Sequence, residues 1–268
     1  MLRIGVCGAA GRMGSMIIRL IAASTDFKLA AAVEFEKHPK IGADAGEIAG
    51  CGRLGVNLEA GLEKSVSGCD VVIDFSSVEG AFSNLPVCAK AKKPLIIGTT
   101  GFKPEEKTRI AAFAKDIPVM HTANMSIGVN LLFKLVKEAA RALKDKDFDT
   151  EIVETHHRFK KDAPSGTALK LAEVIAEEKG LKLEKVLISG REGFVGERPK
   201  DAIGILAVRA GDVVGDHTVT FGALGERLEL THKAHSRETF AKGALVAARF
   251  LAGKKPGMYD MQDVLSLK

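Results

Sequence analysis

Short apolar runs alternate with helical stretches through the first half of the chain, and most of these runs lead directly into Gly, Ser, Thr or Asn. The strands predicted from them are Leu2–Cys7, Leu29–Val33, Val71–Phe75, Leu95–Ile97 and Val119–His121, with a helix over Met13–Ala23. Strands separated by helices favour a parallel, doubly wound sheet with right-handed crossovers. The pattern therefore predicts a Rossmann-like α/β domain. Ligands on such a sheet bind beyond the carboxyl ends of the strands.

The pattern changes in the second half. The predicted elements are an amphipathic helix over Ser126–Leu143, a strand over Thr150–His156, a helix over Ser165–Glu178, then strands over Ile203–Val208, His217–Phe221 and Arg227–Thr231, and a helix over Thr239–Ala252. Consecutive strands without crossover helices predict an antiparallel or mixed, open sheet. The last helix should return to the first sheet, which needs helices on both faces. We therefore expect a first domain over residues 1–126, completed by 238–268, and a smaller α+β domain over 127–237.

Composition narrows the function classes. The chain has 268 residues, of which 46% are hydrophobic and 27% charged, as in ordinary globular proteins of one or two domains. Its net charge of +5 is scattered over predicted helices, which argues against nucleic-acid binding and suits weak attraction of an anionic substrate. Four separated cysteines indicate reduced thiols, without disulfides or a metal site. Because neither a signal peptide nor an apolar run of membrane-spanning length is visible, we expect a cytoplasmic protein without membrane contact.

A glycine-rich loop, Gly8-Ala9-Ala10-Gly11-Arg12-Met13-Gly14, joins the first strand to the first helix. Glycines let the backbone approach a pyrophosphate, and free N–H groups at the helix start face the anion. The GxxGxxG spacing differs from the usual GxGxxG, but Glu34 stands 20 residues after Gly14, where a carboxylate can accept hydrogen bonds from an adenosine ribose. The loop predicts a dinucleotide site, and the alternative is a plain turn beside a solvated Glu34. Arg12 either contacts the cofactor, which we favour, or is a solvated residue of the first turn.

Two further segments follow predicted strands at the same edge of the sheet. Gly98-Thr99-Thr100-Gly101 offers hydroxyls and N–H groups to a ribose or nicotinamide, and Ala123-Asn124-Met125-Ser126 precedes a helix. Each segment alone is more often plain turn chemistry. In combination with the glycine loop, both are predicted to contact the cofactor.

The stretch from Glu154 to Ala168 concentrates chemistry in 15 residues: two histidines, three cations and a Ser-Gly turn at a predicted helix start. A helix start with a serine cap binds carboxylates through its free N–H groups, and the neighbouring His and Lys side chains can donate protons. This combination suits a dicarboxylate substrate and a reaction that needs a proton. Alternatives stay open, because one histidine could be structural, the Lys-Lys pair could be solvated surface, and the Ser-Gly-Thr turn could be only a cap. Adjacent histidines on a strand point to opposite faces and are poorly placed to chelate one metal ion.

This stretch resembles the E-x-H-H-x-x-K-x-D-A-P-S-G-T-A signature of the dihydrodipicolinate reductases. Further matches are G-x-x-G-R-M-G at 8–14, I-G-T-T-G-F at 97–102, A-N-x-S-x-G-V-N at 123–130, V-R-A-G-D at 208–212 and T-H-K-A at 231–234. The resemblance spans the whole chain in order. It implies reduction of 4-hydroxy-tetrahydrodipicolinate by NADH or NADPH, without a metal, in lysine and diaminopimelate biosynthesis. It also implies a homotetramer assembled through the second, substrate-binding domain.

The resemblance implies a role for individual residues. His156 and Lys160 correspond to the family's acid/base pair. The implied substrate contacts are His157, Ser165, Gly166 and Thr167. The implied cofactor contacts are Gly8, Ala9, Ala10, Gly11, Arg12, Met13, Glu34, Gly98, Thr99, Thr100, Thr122, Ala123, Asn124 and Met125.

One departure from the family pattern and three rival functions, of which the first fails, complete the sequence-based picture. Phe35 stands where many relatives have an arginine that pairs with the 2′-phosphate of NADPH, which puts a preference for NADPH in doubt. A short-chain dehydrogenase would need Tyr-x-x-x-Lys, but Asp263 follows the single tyrosine, Tyr259, by four residues. The enzymatic rival is another two-domain NAD(P)-dependent oxidoreductase of the aspartate pathway, which would not need the His-His-x-x-Lys set. A dinucleotide-sensing regulator would need a helix-turn-helix or a clustered basic surface, and neither is visible.

Overall fold

The computed structural model describes residues 1–122 and 124–268, in two compact units. Residues 1–127 with 238–268 form unit 1, and residues 128–237 form unit 2. The strands are β1 (Leu2–Cys7), β2 (Phe27–Glu34), β3 (Leu58–Ala60), β4 (Val71–Asp74), β5 (Leu95–Ile97), β6 (Pro118–His121), β7 (Asp149–His156), β8 (Leu187–Ser189), β9 (Ile203–Arg209), β10 (Gly215–Ala223), β11 (Glu226–Ala234) and β12 (Gly257–Tyr259). The helices are α1 (Arg12–Ala22), α2 (Ala45–Ala49), α3 (Val78–Lys90), α4 (Pro104–Phe113), α5 (Ile127–Ala142), α6 (Gly166–Lys179), α7 (Leu183–Val186), α8 (Glu238–Leu251) and α9 (Met261–Val264).

Unit 1 is a parallel sheet in the order β12-β6-β5-β4-β1-β2-β3, with every strand pair parallel. Successive strand residues face opposite sides, so Val71 joins the core beneath α1 and α8 while Val72 joins the core beneath α3 and α4. Both faces are therefore covered, as a fully buried parallel sheet requires. The Rossmann-like fold predicted from the sequence is confirmed.

The strand order reverses direction between β1 and β4. From β1 the chain passes through α1 to β2 on one side, and from β3 it returns to β4 on the other side of β1. The carboxyl ends of β1 and β4 diverge into separate loops at this switch point, which is where open α/β sheets bind ligands. Gly8 follows β1 there, and Phe75 follows β4.

Unit 2 is a five-stranded sheet in the order β11-β10-β7-β9-β8. Strands β7, β8 and β9 are parallel, whereas β10 runs antiparallel to β7 and β11, so the predicted open mixed sheet is confirmed. Helices α5 and α6 pack their buried residues on one face of this sheet, against Ile152, Val219 and Phe221. Burial of each apolar side chain of this size stabilises the folded state by about 1.5–3 kcal/mol.

Several short elements were not predicted. Strands β3, β8 and β12 have three residues each, and α2, α7 and α9 have four or five. Segments this short carry no readable periodicity, and their conformation depends on neighbours that are distant in the chain. Across the described part of the chain, no helix combines the length and the apolar character that a membrane span requires.

Candidate active site

The glycine loop after β1 is held in a conformation that only glycine accommodates. Gly8 has φ of +73°, and a Cβ on it would lie 2.6 Å from the Phe75 carbonyl oxygen. A Cβ on Gly14 would lie 2.1 Å from the carbonyl oxygen of Gly8. Gly11 is the N-cap of α1 and provides no side-chain hydrogen bond to the first turn. The first N–H groups of α1 thus remain available to an anion.

Glu34 is tied to this loop. Its Oε1 accepts a hydrogen bond from the backbone N–H of Ala10 at 3.0 Å, and its Oε2 accepts one from the N–H of Phe35 at 3.4 Å. The carboxylate therefore braces the glycine loop from the end of β2. The sequence predicts a ribose contact for Glu34 and gives no sign of this hydrogen bond to the loop.

A cavity of about 910 Å³ opens at the switch point of unit 1. Among the residues that line it are Gly8, Gly11, Glu34, Phe35 and Phe75, and its walls also carry the charged side chains Glu36, Glu63, Lys64 and Glu79. The volume lies in the range of cofactor sites. With the uncapped helix start beside it, the cavity fits a dinucleotide, and its charged walls are predominantly acidic.

The other predicted cofactor segments divide between exposed and buried positions. Gly98 packs on Phe75, since a Cβ there would lie 2.2 Å from the ring, and the buried Thr99 Oγ1 has no hydrogen-bond partner among the described residues. Asn124 accepts a hydrogen bond from the N–H of Ser126 at 2.8 Å, and Met125 is buried in the unit 1 core. Of the remaining predicted residues, Arg12 and Thr100 are exposed, Met13 and Thr122 are half-buried, Ala9 is buried, and Ala123 lies outside the described residues.

In unit 2, one carboxylate contacts several parts of the stretch from Glu154 to Ala168. Glu154, at the inner face of β7, is fully buried. Its Oε1 accepts hydrogen bonds from Arg209 at 2.9 Å and from the backbone N–H of Ser165 at 3.1 Å. Its Oε2 accepts from Arg209 at 2.9 Å and pairs with Nδ1 of His156. Burial acts to raise the pKa of Glu154, but the hydrogen bonds from Arg209 and His156 outweigh it and hold the pKa below its usual value.

His156 ends β7 with its ring against this carboxylate. Its other ring nitrogen, Nε2, has no hydrogen-bond partner within the described residues, and it lies beside Gly215, where a Cβ would approach it to 3.0 Å. The ring also packs edge-on against His217, with centroids 5.1 Å apart. Burial lowers the pKa of His156, and the hydrogen bond to Glu154 opposes that effect. The imidazole is held through Nδ1, and Nε2 is left without a partner among the described residues.

Lys160 lies on the loop that follows β7. Its Nζ is 2.9 Å from both carboxylate oxygens of Asp162, and its backbone N–H donates to the His157 carbonyl at 3.1 Å. His157 Nε2 lies 3.3 Å from the Arg237 guanidinium. The loop thus presents an ammonium and a second imidazole in unit 2, each next to an ionic partner.

The Ser165-Gly166-Thr167 turn begins α6. Ser165 caps the helix by accepting a hydrogen bond from the Ala168 N–H at 3.2 Å, and its hydroxyl is also 3.2 Å from Nε2 of His217. An ideal Cβ on Gly166 would meet no atom within 4 Å, so space is open in front of the turn. The predicted cap is present, and the opening can admit an anion to the helix start.

The sequence assigned no site role to Glu154, Arg209, His217 or Arg237. Arg209 had a signal, because it belongs to the V-R-A-G-D motif, but nothing in the sequence paired it with Glu154. His217 and Arg237 carried no signal that distinguished them from ordinary polar residues of a strand and a loop. Among the described residues, no group of three or more His, Cys, Asp or Glu side chains is placed to hold a metal ion.

His217 should make the stability of the protein depend on pH. Burial, together with His156, lowers the pKa of His217 from 6.5 to about 4, so its neutral form is favoured in the folded state. The stabilisation is complete above pH 6.5 and is lost as the pH falls from 6.5 towards 4, by up to about 3 kcal/mol. We expect urea unfolding to show this loss and His217→Gln, which cannot titrate, to weaken the pH dependence. Equal pH slopes for wild type and variant would contradict the assignment, and the exposed His235→Gln serves as the control.

An α/β unit with an uncapped glycine loop, and a second unit that presents an imidazole, an ammonium and an open helix start, have the build of a nicotinamide-dinucleotide-dependent oxidoreductase. Comparison with known families gives the particular one. The family models described as dihydrodipicolinate reductase, N-terminus and C-terminus, match residues 2–125 and 128–265. The chain belongs to the dihydrodipicolinate reductase family, so the resemblance seen in the sequence and the reductase class are confirmed.

Individual relatives agree with this assignment. A 4-hydroxy-tetrahydrodipicolinate reductase of Trichlorobacter lovleyi is 52% identical over the full length of both chains, and one of Geotalea daltonii is 50% identical over the same extent. A solved dipicolinate-bound dihydrodipicolinate reductase from Paenisporosarcina sp. TG-14 is 25% identical, covers 98% of each chain and has a TM-score of 0.75. An aspartate semialdehyde dehydrogenase II from Vibrio cholerae, at 11% identity and a TM-score of 0.54 over 94% of this chain and 98% of that one, shares the fold alone.

Proposed function

We propose that this chain reduces 4-hydroxy-tetrahydrodipicolinate to tetrahydrodipicolinate, with NADH or NADPH as the donor. The observation that carries the proposal is the arrangement in unit 2, where one buried carboxylate, that of Glu154, contacts both the ring of His156 and the backbone N–H of Ser165 at the Ser165-Gly166-Thr167 turn. The net reaction replaces a hydroxyl group by hydrogen, so one proton is needed for the hydroxyl to leave as water. A site that combines oriented proton donors with a helix start suits this requirement and a substrate with two carboxylates.

In this proposal the residues of unit 2 handle the substrate. His156 and Lys160 supply and relay the proton, because each presents a nitrogen on the same segment of the chain. His157, Ser165, Gly166 and Thr167 bind the carboxylates, the turn through its N–H groups and His157 through its imidazole.

Unit 1 is proposed to hold the dinucleotide. The loop Gly8–Met13 would bind the pyrophosphate at the start of α1, Glu34 would face the adenosine ribose, and the segments Gly98–Thr100 and Thr122–Met125 would face the nicotinamide half. When bound, the reduced nicotinamide supplies the hydride. The uncapped N–H groups of α1 and the cavity beside them support this part of the proposal.

The experiment that tests the function is a reductase assay. Oxidation of NADH and NADPH is followed optically after the cyclic dicarboxylate has been generated freshly in the cuvette. Aspartate semialdehyde and duplex DNA are tested separately. They are the ligands expected of the two remaining rivals, an aspartate-pathway dehydrogenase and a dinucleotide-sensing regulator. Turnover of the cyclic dicarboxylate without turnover of the semialdehyde supports the proposal, and the reverse pattern or tight DNA binding overturns it.

The acidic cavity of unit 1 predicts the choice of nucleotide. Glu34, Glu36, Glu63 and Glu79 oppose a 2′-phosphate, which carries about −1.5 to −2 charges, and Phe35 cannot pair with it. NADH should therefore serve at least as well as NADPH. Phe35→Arg should shift the ratio of kcat/KM values towards NADPH by about 1–3 kcal/mol if a charge-assisted bond forms.

The uncharged control is Phe35→Leu, which removes the ring without adding a cation. A wild-type enzyme that strongly preferred NADPH would refute the argument. The phosphate would then be bound by Arg12, Lys37 or Lys64, the last of which lines the cavity.

A further expected result concerns the turn at the start of α6. Gly166→Val places a branched side chain in the open space before the turn, so the protein should fold while access of a carboxylate to the N–H groups is blocked. We expect KM to rise by about tenfold or more, because the substrate carboxylate loses one hydrogen bond to the turn. An unchanged KM in the folded variant would remove the turn from the substrate site, and unchanged dinucleotide affinity is the internal control.

The proposal extends to a homotetramer, located in the cytoplasm and assembled through unit 2. What supports the assembly is the face of the five-stranded sheet opposite α5 and α6, where Val153, Leu206 and Val208 are exposed. Apolar side chains on an open sheet favour association with another copy. Light scattering on protein eluting from a size-exclusion column would measure the mass of the assembly. A monomer at assay concentrations would refute the proposed tetramer.

A further inference from the structure

The ion pair between the buried Glu154 and the half-buried Arg209 makes contacts that a stabilising salt bridge would not need. Glu154 is fully buried, and each of its two oxygens accepts two hydrogen bonds. Buried pairs of this kind are poor sources of net stability, because the cost of desolvation offsets the attraction. The role of Glu154 is therefore better inferred from the groups that it contacts than from its charge.

These groups belong to three separate parts of the candidate site. The first is His156 at the end of β7, whose Nδ1 the carboxylate holds. The second is Ser165, whose N–H it accepts at the start of α6. The third is the loop that carries Lys160, which is reached through Arg209, since that guanidinium also donates to the Asp162 carbonyl at 2.7 Å.

We propose that Glu154 is a positioning residue of the reductase: with Arg209 as its counterion, it holds the imidazole of His156, the turn at Ser165 and the Lys160 loop in one fixed arrangement. The inference rests on the proposed function only for its kinetic consequence. The structural part, that Glu154 sets the orientation and protonation of His156, stands on the contacts alone.

The physical consequence for His156 follows from its surroundings. The charged or titratable groups that face it are Glu154 on its own strand, Arg209 on β9, His217 on β10, and Lys160 on the following loop. Of these, only Glu154 favours the protonated imidazole, whereas Lys160 and Arg209 oppose it. Removing the carboxylate should lower the pKa of His156 and release Nδ1, so that the ring loses its fixed tautomer.

The same strand offers a matched control. Glu151, three residues before Glu154, also binds arginines, with Arg191 at 2.8 and 3.0 Å and Arg198 at 2.9 Å. It lies on the opposite face of β7 and contacts none of the candidate site residues. Glu151→Gln therefore removes a similar ion pair from the same strand without touching His156, Lys160 or Ser165.

The experiment compares Glu154→Gln with Glu151→Gln in the full-length protein. Glu154→Gln should lower kcat by about 10–100-fold and shift the basic limb of the kcat/KM profile to lower pH, while the Kd for NADH stays unchanged. In spectra of histidine-labelled protein, with the His156 signal assigned through His156→Gln, that ring should titrate at lower pH than in wild type. Glu151→Gln should leave both profiles near those of wild type.

A second variant covers the case in which Glu154→Gln leaves Arg209 unpaired and the protein fails to fold. Glu154→Gln/Arg209→Met removes both charges together, which buried pairs tolerate. His156 should still titrate at lower pH than in wild type, but less far below it than in Glu154→Gln, because Arg209, which opposes protonation of the ring, is removed as well. A wild-type titration and pH profile in either variant would overturn the proposal. If the wild-type protein lacked reductase activity, the proposed function would fail, but the histidine titration would still decide the role of Glu154.

Discussion

Lys160→Ala should lower kcat by about 10²–10⁴, the range for loss of a general acid or base, and leave dinucleotide binding intact. The ammonium is held 2.9 Å from both oxygens of Asp162, so it is kept in a defined position on the loop after β7. Lys160→Arg separates two roles of this charge. Arginine preserves the positive charge but does not release a proton, so it should restore KM and leave kcat low.

Steady-state rates with the cyclic dicarboxylate and direct titration with NADH supply the two measurements. The neighbouring Lys161 is exposed, and Lys161→Ala serves as the control, with a kcat near that of wild type. Near-normal turnover in Lys160→Ala, or full recovery in Lys160→Arg, would exclude Lys160 as a proton donor.

His156→Gln should produce a loss of similar size, about 10²–10⁴ in kcat. The substitution keeps a side chain of comparable length that can hydrogen-bond to Glu154, while the titrating ring is removed. His157→Ala should differ in kind, because His157 is proposed to contact the substrate, and its effect should appear mainly as a higher KM. The two adjacent histidines are thereby distinguished by which kinetic constant each one changes.

The control for these two variants is His235→Gln, which alters an exposed histidine of unit 2. Both variants keep Glu154 and Arg209, so we expect them to fold. Circular dichroism checks this. A variant His156→Gln with normal kcat would assign the proton transfer to Lys160 alone, and equal effects of His156 and His157 on KM would contradict the division of roles.

The elements that could be predicted were those with a clear period or with an apolar run closed by a glycine turn. β1 and β5 match their predicted ranges because each is an apolar segment closed by a glycine turn, and α5 follows the spacing of its buried residues. β10 and β11 are longer than predicted, nine residues each, because pairing with neighbouring strands extends them through polar positions. Such pairing is a property of the sheet and leaves no local pattern.

The candidate site divides in the same way. The stretch from Glu154 to Ala168 was recognisable because its chemistry lies close together in the chain. Its partner Arg209 lies 55 residues beyond Glu154, and the two meet because β7 and β9 pair in parallel with His156 opposite Arg209. Register between distant strands is set by packing of the whole sheet, so the sequence shows Glu154 and Arg209 only as members of two separate motifs and does not show their contact. The bond from Ala10 to Glu34 was missed for the same reason.

Because α8 and β12 return to unit 1, the ribosome completes unit 1 only after the whole of unit 2 has been synthesised. Unit 2 is inserted between β6 and α8, so all of residues 128–237 are synthesised before the last helix and edge strand of unit 1 exist. During that interval β6 is an uncovered edge, and the hydrophobic side of the sheet beneath α8 is exposed, a state that invites pairing with other chains. We expect unit 2 to acquire its structure first on the ribosome, and nascent chains that end before residue 238 to be the most dependent on chaperones.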